Sequence, residues 1–269
     1  IETGYLRSGR FTKTASYLSR SQKILSQLPH DTITISFGSI PGCKIFRTGG
    51  IHKDFLKKSI QGYPGLKKIR KKISRAINPI NYYNPLVDNL IYTNKNTKFF
   101  VAISEMAAKE INLFYDTPNR KIYTIPNGVD SLKFNLDKRI KSRNQARSKL
   151  GLSEKDKVIG FSSTNFELKG LRFIINTLPN LSNSYKLLVA GNRKPEKYKK
   201  LAKKLNIEKQ VLFLGYVKDM PEFYSALDIL CHPSAYDTFG SVVAEASAMG
   251  LPVITTNNVG AANLITEGI

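Results

Sequence analysis

The stretch HPSAYDTFGSVVAEASAMGLPVITT, residues 232–256, sets one carboxylate at Asp237 and a second at Glu245. The residues between them are small or apolar and read as a helix, closed by Gly250 and followed by Pro252 and a β-branched run. Thr238, Phe239, Gly240 and Ser241 stand where that helix begins. The first N–H groups of a helix lack intrahelical acceptors and lie at the positive end of its dipole, so they suit an anion such as phosphate. Gly240 allows the backbone to approach a ligand closely. Lys169, in FELKGL, puts a cation at the start of another helix, and His52, in RTGGIHKDFL, follows a strand and two glycines. Each residue also has a plainer reading. Asp237 can be an acidic helix cap, Glu245 a partly exposed acid, Lys169 a solvated lysine and His52 a structural histidine. His232 ends an apolar strand and reads as a packing and hydrogen-bonding residue, while Asn127 and Gly128 read as a turn.

The elements that must position these residues follow a regular alternation from about residue 156. KVIGFSS, YKLLVAGN, QVLFLGYV, ILCHPS and PVITT read as strands. KGLRFIINTLPNL, KPEKYKKLAKKLN, MPEFYSALD and GSVVAEASAMG read as helices between them. Strands that alternate with helices and lack hairpin turns predict a parallel sheet covered on both faces. Ligands of such sheets bind at the carboxyl ends of the strands, where Lys169 and the 232–241 loop fall. In the first half, TITISFGSIPG and CKIFRTGGIH read as strand–loop units, and TKFFVAIS–EMAAKEINLFY as a strand and a helix opened by Ser104. KIYTIPNGVD reads as a last strand running into a turn. The expected organisation is a first β/α lobe over residues 1–130, a linker with a short helix, NQARSKLGL, over 131–155, and a second β/α lobe over 156–269.

Composition narrows the function classes. A chain of 269 residues with 41% hydrophobic content suits two soluble domains of ordinary size. No apolar run approaches the ~18 residues of a membrane-spanning helix. Three His and two Cys are scattered without metal-ligand spacing, and neither a phosphate-binding P-loop nor a Gly-x-Ser-x-Gly elbow occurs. Cys43 and Cys231 read as small buried hydrophobes of a reducing compartment. The formal net charge of +22 is uneven: residues 1–150 carry +19 and the remainder only +3. The densest patch, KKSIQGYPGLKKIRKKISR at 57–75, suits an anionic partner or a plainly solvated helix face. No nucleic-acid-binding motif accompanies it, so an anionic membrane surface is the expected partner and nucleic acid is not. The chain opens on Ile1 rather than Met and stops at Ile269 after a turn-like Glu-Gly, so a fragment at both ends is expected.

The order of motifs resembles the family-four retaining glycosyltransferases of GT-B fold: IPNGVD, KGL after the first strand of the second lobe, AGN, FLGYV, then HPSAYDTFGSVVAEASAMGLPVI. Within that family the chain looks most like the lipopolysaccharide core glucosyltransferase I group, a likeness that SFGSIPGCKIFRTGGIHKDFL extends into the first half. The resemblance implies an α/β GT-B architecture, two Rossmann-like lobes facing a cleft. It implies a metal-independent, retaining hexosyltransferase that uses a nucleotide-sugar donor, UDP-glucose, and a saccharide or glycolipid acceptor, with no cofactor. It places the enzyme in the cytoplasm, peripheral on the inner face of the membrane. By the same resemblance Asp237 contacts the donor hexose, Glu245 the ribose, and Lys169 with the 238–241 amides the diphosphate. His52 lies near the acceptor or the transferred sugar. Three positions depart from the pattern: Asp237 stands where Glu is usual, Leu168 where an Arg is usual, and Asn263 where a Glu is common. Arg172 and Arg193 are the candidate replacements for the missing Arg. These departures keep a second reading open, a catalytically weak nucleotide-sugar-binding or scaffold protein held at a membrane by its basic lobe.

Overall fold

The computed structural model describes residues 10–115 and 121–265. They form two compact units, Ile1–Pro126 and Asn127–Ile269.

The first unit runs α1 (Arg10–Ser26), β1 (Ile35–Ser36), β2 (Ile45–Thr48), α2 (His52–Ser59), α3 (Gly65–Ala76), α4 (Ile80–Tyr92), β3 (Phe99–Ala102), α5 (Glu105–Phe114) and β4 (Lys121–Thr124). Its sheet has the order β1-β2-β3-β4, and every pairing is parallel. Phe46 and Phe100 face helix residues Val87, Ile91, Tyr92, Ala107 and Ile111 in one apolar cluster. Tyr92 is buried, stacks on Tyr115 with centroids 4.5 Å apart, and its hydroxyl bonds Thr48 Oγ1 at 2.5 Å. Burial of such a phenol is tolerated because the hydroxyl keeps a partner. Ser104 caps α5 as its position suggests: its hydroxyl accepts the Ala107 N–H at 3.1 Å.

The second unit runs α6 (Leu136–Lys149), β5 (Lys157–Ser162), α7 (Leu171–Thr177), β6 (Tyr185–Ala190), α8 (Glu196–Lys204), β7 (Val211–Gly215), α9 (Met220–Ser225), β8 (Ile229–His232), α10 (Ser241–Ala248) and β9 (Val253–Thr255). The sheet order is β7-β6-β5-β8-β9, all parallel. The strands are near-continuous apolar runs because helices cover both faces, and two separate clusters record those faces. Val158, Leu188, Leu227 and Leu230 belong to one, and Phe161, Leu187, Val189 and Ile175 to the other. The chain moves outward from β5 through β6 and β7, then returns to place β8 on the opposite side of β5. That reversal makes the carboxyl ends of β5 and β8 the topological switch point, where open parallel sheets bind ligands.

Residues 131–155, expected as a linker with a short helix, carry the longer helix α6, whose N-cap Asn135 accepts the Lys138 N–H. Arg147 is buried and donates to the carbonyls of Ala226, Ser153 and Asp156. Arg143 meets Asp228 at 2.5 Å, and Asp228 also accepts the Val158 N–H at 2.7 Å. Spacing alone hid this helix because its exposed residues mix Leu136 and Ile140 with charged and polar side chains, while arginines tie it to carbonyls far along the chain.

Candidate active site

Lys169 follows β5 and Asp237 follows β8, so the switch point brings together two residues far apart in sequence. Lys169 Nζ lies 2.6 Å from Asp237 Oδ2 and donates to the Tyr236 carbonyl at 3.0 Å. His232, 2% exposed at the end of β8, places Nε2 3.0 Å from the same carboxylate oxygen. Its Nδ1 is buried without a hydrogen-bond partner among the described residues. His232 is therefore more than packing: it is the floor on which Asp237 rests.

The two loops are locked to each other and to the next segment. The Ala235 N–H donates to the Leu168 carbonyl at 2.9 Å. Asp237 donates its N–H to Asn258 and accepts from Gly260, both at 2.9 Å. Gly170 precedes α7 with φ +81°, and a Cβ there would lie 2.2 Å from the Pro233 carbonyl oxygen, so only glycine permits this approach. Gly240, φ +85°, is the N-cap of α10 and contributes no side-chain cap. A Cβ at Gly240 would meet Val259 Cγ1 at 2.6 Å. Asp237 is thus not the cap of α10; its carboxylate is committed to Lys169 and His232. Phe239 is buried, whereas Ser241, the first residue of α10, is exposed and Thr238 is intermediate.

Glu245 is the fifth residue of α10, little more than one turn in rather than two. Its Oε2 accepts the Tyr224 hydroxyl at 2.7 Å. Burial raises the Glu245 carboxyl above its usual range, against the lowering effects of the Tyr224 bond and the Lys133 charge. For Asp237 the balance falls the other way. Burial pushes the carboxyl up, but the His232 bond and the Lys169 charge outweigh it and hold it at about 2. Burial lowers the Lys169 ammonium, and Asp237 opposes that shift. The two acids of one helix region therefore differ in kind, one held firmly ionised and one softened.

The arginine substitutes do not join this cluster through any contact among the described residues. Arg172 stacks on Phe173, with the guanidinium 4.2 Å from the ring centroid, and Arg193 donates to the Thr164 carbonyl. Asn263 is exposed in the short helical turn Gly260–Leu264.

His52 belongs to the first unit, at the start of α2. Asp88, on α4 and 4% exposed, grips it twice: Oδ2 accepts the His52 N–H and Oδ1 meets Nδ1, both at 2.8 Å. Glu110 Oε2 accepts the preceding Ile51 N–H at 3.4 Å. Asp88, Glu110 and Tyr224 carry no motif; each is joined to its partner only by the fold. Among the described residues no group of three or more His, Cys, Asp or Glu side chains could hold a metal ion.

The second unit is a parallel β/α unit of Rossmann type, with a cation, two acids and a helix start near its switch point. Residues 142–269, most of the second unit, match the family of group 1 glycosyl transferases. It is 26% identical to the lipopolysaccharide glucosyltransferase WaaG of Escherichia coli K12, over 95% of this chain and 66% of that protein. A crystal structure of WaaG, a glycosyltransferase involved in lipopolysaccharide biosynthesis, matches with a TM-score of 0.77 at 25% identity, covering 98% of this chain and 70% of that one. Anabaena Alr3699/HepE, solved in complex with UDP and glucose, matches at 21% identity with a TM-score of 0.65, over 84% and 56% of the two chains. The architecture is that of the GT-B glycosyltransferases. The chain spans 45%, 66% and 44% of the lengths of three curated relatives it matches.

The ion pair yields a stability prediction. A carboxyl depressed in the folded state contributes stability that is fully present above its ordinary value of 3.8 and is lost as pH falls through about 2. Lys169→Met should therefore lose about 3 kcal/mol in urea unfolding at pH 7, the cost of breaking a buried pair on one side. The deficit should narrow as pH falls from 3.8 toward 2. A deficit independent of pH would show that the pair contributes nothing through its charge.

Proposed function

We propose that this protein is a retaining hexosyltransferase that moves glucose from UDP-glucose to a saccharide acceptor of the cell envelope, such as lipopolysaccharide core. The observation that carries this reading is the meeting of Lys169, Asp237 and the start of α10 at the switch point of the second unit. In this assignment Lys169 and the backbone N–H groups of 238–241 hold the diphosphate, where negative charge grows as the leaving group departs. Glu245 takes the ribose diol and Asp237 the hexose hydroxyls, while His52 serves the transferred sugar or the acceptor. The bond from the anomeric carbon to phosphate breaks, and the bond to the acceptor oxygen forms on the same face. The acceptor proton leaves with the diphosphate. The reaction proposed needs no cofactor and no metal ion. The WaaG relationship supports the acceptor class, and the UDP and glucose bound by HepE are the two parts of the donor proposed.

The test is turnover of a panel of sugar nucleotides with a saccharide acceptor, read as nucleoside diphosphate released. UDP-glucose should be the preferred donor, and NMR of the product should show the donor's anomeric configuration kept. Asp237→Asn should lower kcat more than it raises the donor KM, because a hexose held loosely still binds but reacts less often. Binding of UDP-glucose without turnover of any donor would favour the weak-binding scaffold reading.

The same proposal assigns an anionic membrane as partner, on the cytoplasmic side. No helix among the described residues is long and apolar enough to cross a membrane. The support is α3, which has no buried residue. Leu66, Ile69 and Ile73, with Ile77 just beyond its end, are exposed along one helical stripe, and Lys67, Lys68, Arg70, Lys71 and Lys72 flank it. Not all of the basic run faces outward. Lys58 pairs with Asp54 and Glu110, and Arg75 donates to the Leu56 carbonyl and Ser59 hydroxyl, fastening α3 to α2. Five cations at ~1 kcal/mol each suffice for reversible attachment that salt removes. Sedimentation with liposomes should require anionic lipid and fall with salt; equal binding to neutral vesicles, or none to either, would contradict it.

A further inference from the structure

The first unit holds a second arrangement that the sugar-nucleotide reading does not explain. Two buried carboxylates from different helices converge on the Gly50–Ile51–His52 turn. Glu110 of α5 accepts the Ile51 N–H, and Asp88 of α4 accepts the His52 N–H at 2.8 Å. The N-cap Ile51 offers no side-chain cap of its own. The start of α2 is therefore capped from outside, by acids rather than by an incoming anion.

Asp88 goes further than capping. Its other oxygen sits 2.8 Å from His52 Nδ1. The Asp88 side chain is 6% exposed, and that of His52 is 36% exposed. An ionised carboxylate only accepts, so a neutral ring facing it must carry its proton on Nδ1. The remaining nitrogen, Nε2, is then left with a lone pair. The backbone bond to the other oxygen fixes the carboxylate, and with it the plane of the ring. The charge of Asp88 also acts on its surroundings: it is among the influences that raise the Tyr92 and Tyr115 hydroxyls, burial being the largest for both.

We propose that Asp88 is a positioning residue: it holds His52 as the Nδ1–H tautomer so that Nε2 accepts a hydrogen bond from a sugar hydroxyl. The tautomer is a property of this unit alone, whereas the use of Nε2 rests on the glycosyl-transfer reading above. The opposite tautomer would present an N–H donor at the same place. A hydroxyl can turn to meet either, but only the acceptor form leaves its oxygen free to be more nucleophilic or to accept elsewhere.

Asp88→Asn separates these roles. The amide oxygen can still accept the His52 N–H, while the amide N–H₂ faces Nδ1 and forces the proton to Nε2. Asp88→Glu keeps an acceptor-only group and serves as the conservative variant. Imidazole nitrogen NMR of the full chain, which has only three histidines, reads the tautomer directly, and His52→Gln identifies the signal. Expected are the Nδ1–H form in the wild type, the Nε2–H form in Asp88→Asn and the Nδ1–H form in Asp88→Glu. With UDP-glucose as donor, Asp88→Asn should lower kcat by about a hundredfold, with the donor KM nearly unchanged, and Asp88→Glu should recover part of the loss. An Nε2–H or doubly protonated ring in the wild type at neutral pH would overturn the assignment, as would an unchanged tautomer in a folded Asp88→Asn. A flipped tautomer with unchanged kcat would overturn the role of Nε2 in transfer. Absence of any transfer by the wild type would instead remove the glycosyl-transfer reading, and the tautomer result would stand by itself.

Discussion

A single ion pair organises the second unit's site. Lys169 and Asp237 are brought together by the reversal of strand order, and the side chains of both are mostly buried, 16% and 19% exposed. Two charges so placed lose much of their hydration, and their attraction alone seldom outweighs that loss. Here the remaining valences are used: Asp237 also meets His232, and Lys169 also meets the Tyr236 carbonyl. The loops after β5 and β8 are held to this pair by backbone bonds and by glycines that admit no side chain. The site is consequently formed before any ligand arrives.

The shorter acid has a physical consequence. With one methylene fewer than Glu, Asp237 is drawn to the base of the site, where its charge partly neutralises Lys169. In the proposed reaction a diphosphate reaching Lys169 would meet a cation already paired with Asp237. Glu245 is the counterpart. Its carboxyl is softened by burial and held by the Tyr224 hydroxyl. One acid is held by an ion pair and the other by a tyrosine hydroxyl. The first unit repeats the device with Asp88 and His52: a buried carboxylate settles where a neighbouring polar group stands.

Much of this was legible in the sequence, and the reasons are local. The strands of the second unit are β-branched or leucine-rich runs bounded by Gly, Asn and Pro, so β5 to β9 could be placed by pattern. Ser104 and Gly250 marked helix ends through capping chemistry that operates within a few residues. Lys169 and Asp237 stood out because each lies in a loop between a strand end and a helix start, and Glu245 because it follows Asp237 within the next helix. Asp88 and Tyr224 did not. Asp88 lies 36 residues from His52 and Tyr224 lies 21 from Glu245, inside helices that carry several polar residues and mark none of them as a distant partner. Helix α6 was shortened for a related reason: its attachment is made by arginine bonds to distant carbonyls, which leave no apolar stripe to read. The plainer alternative for Asp237, an acidic helix cap, does not hold: Gly240 is the N-cap, and the carboxylate meets Lys169 and His232 instead.

The most direct test of the donor-site assignment is calorimetric titration of UDP-glucose into the wild-type protein and into Glu245→Gln. The substitution keeps the side chain's size and removes the charge, so only charge-assisted bonds to the ribose diol are lost. A hydrogen bond to a charged group is worth ~1.5–3 kcal/mol, so affinity should fall roughly ten- to hundredfold. Equal affinity in the two proteins would mean that Glu245 is a surface acid tied to Tyr224, and that the nucleotide binds elsewhere or not at all.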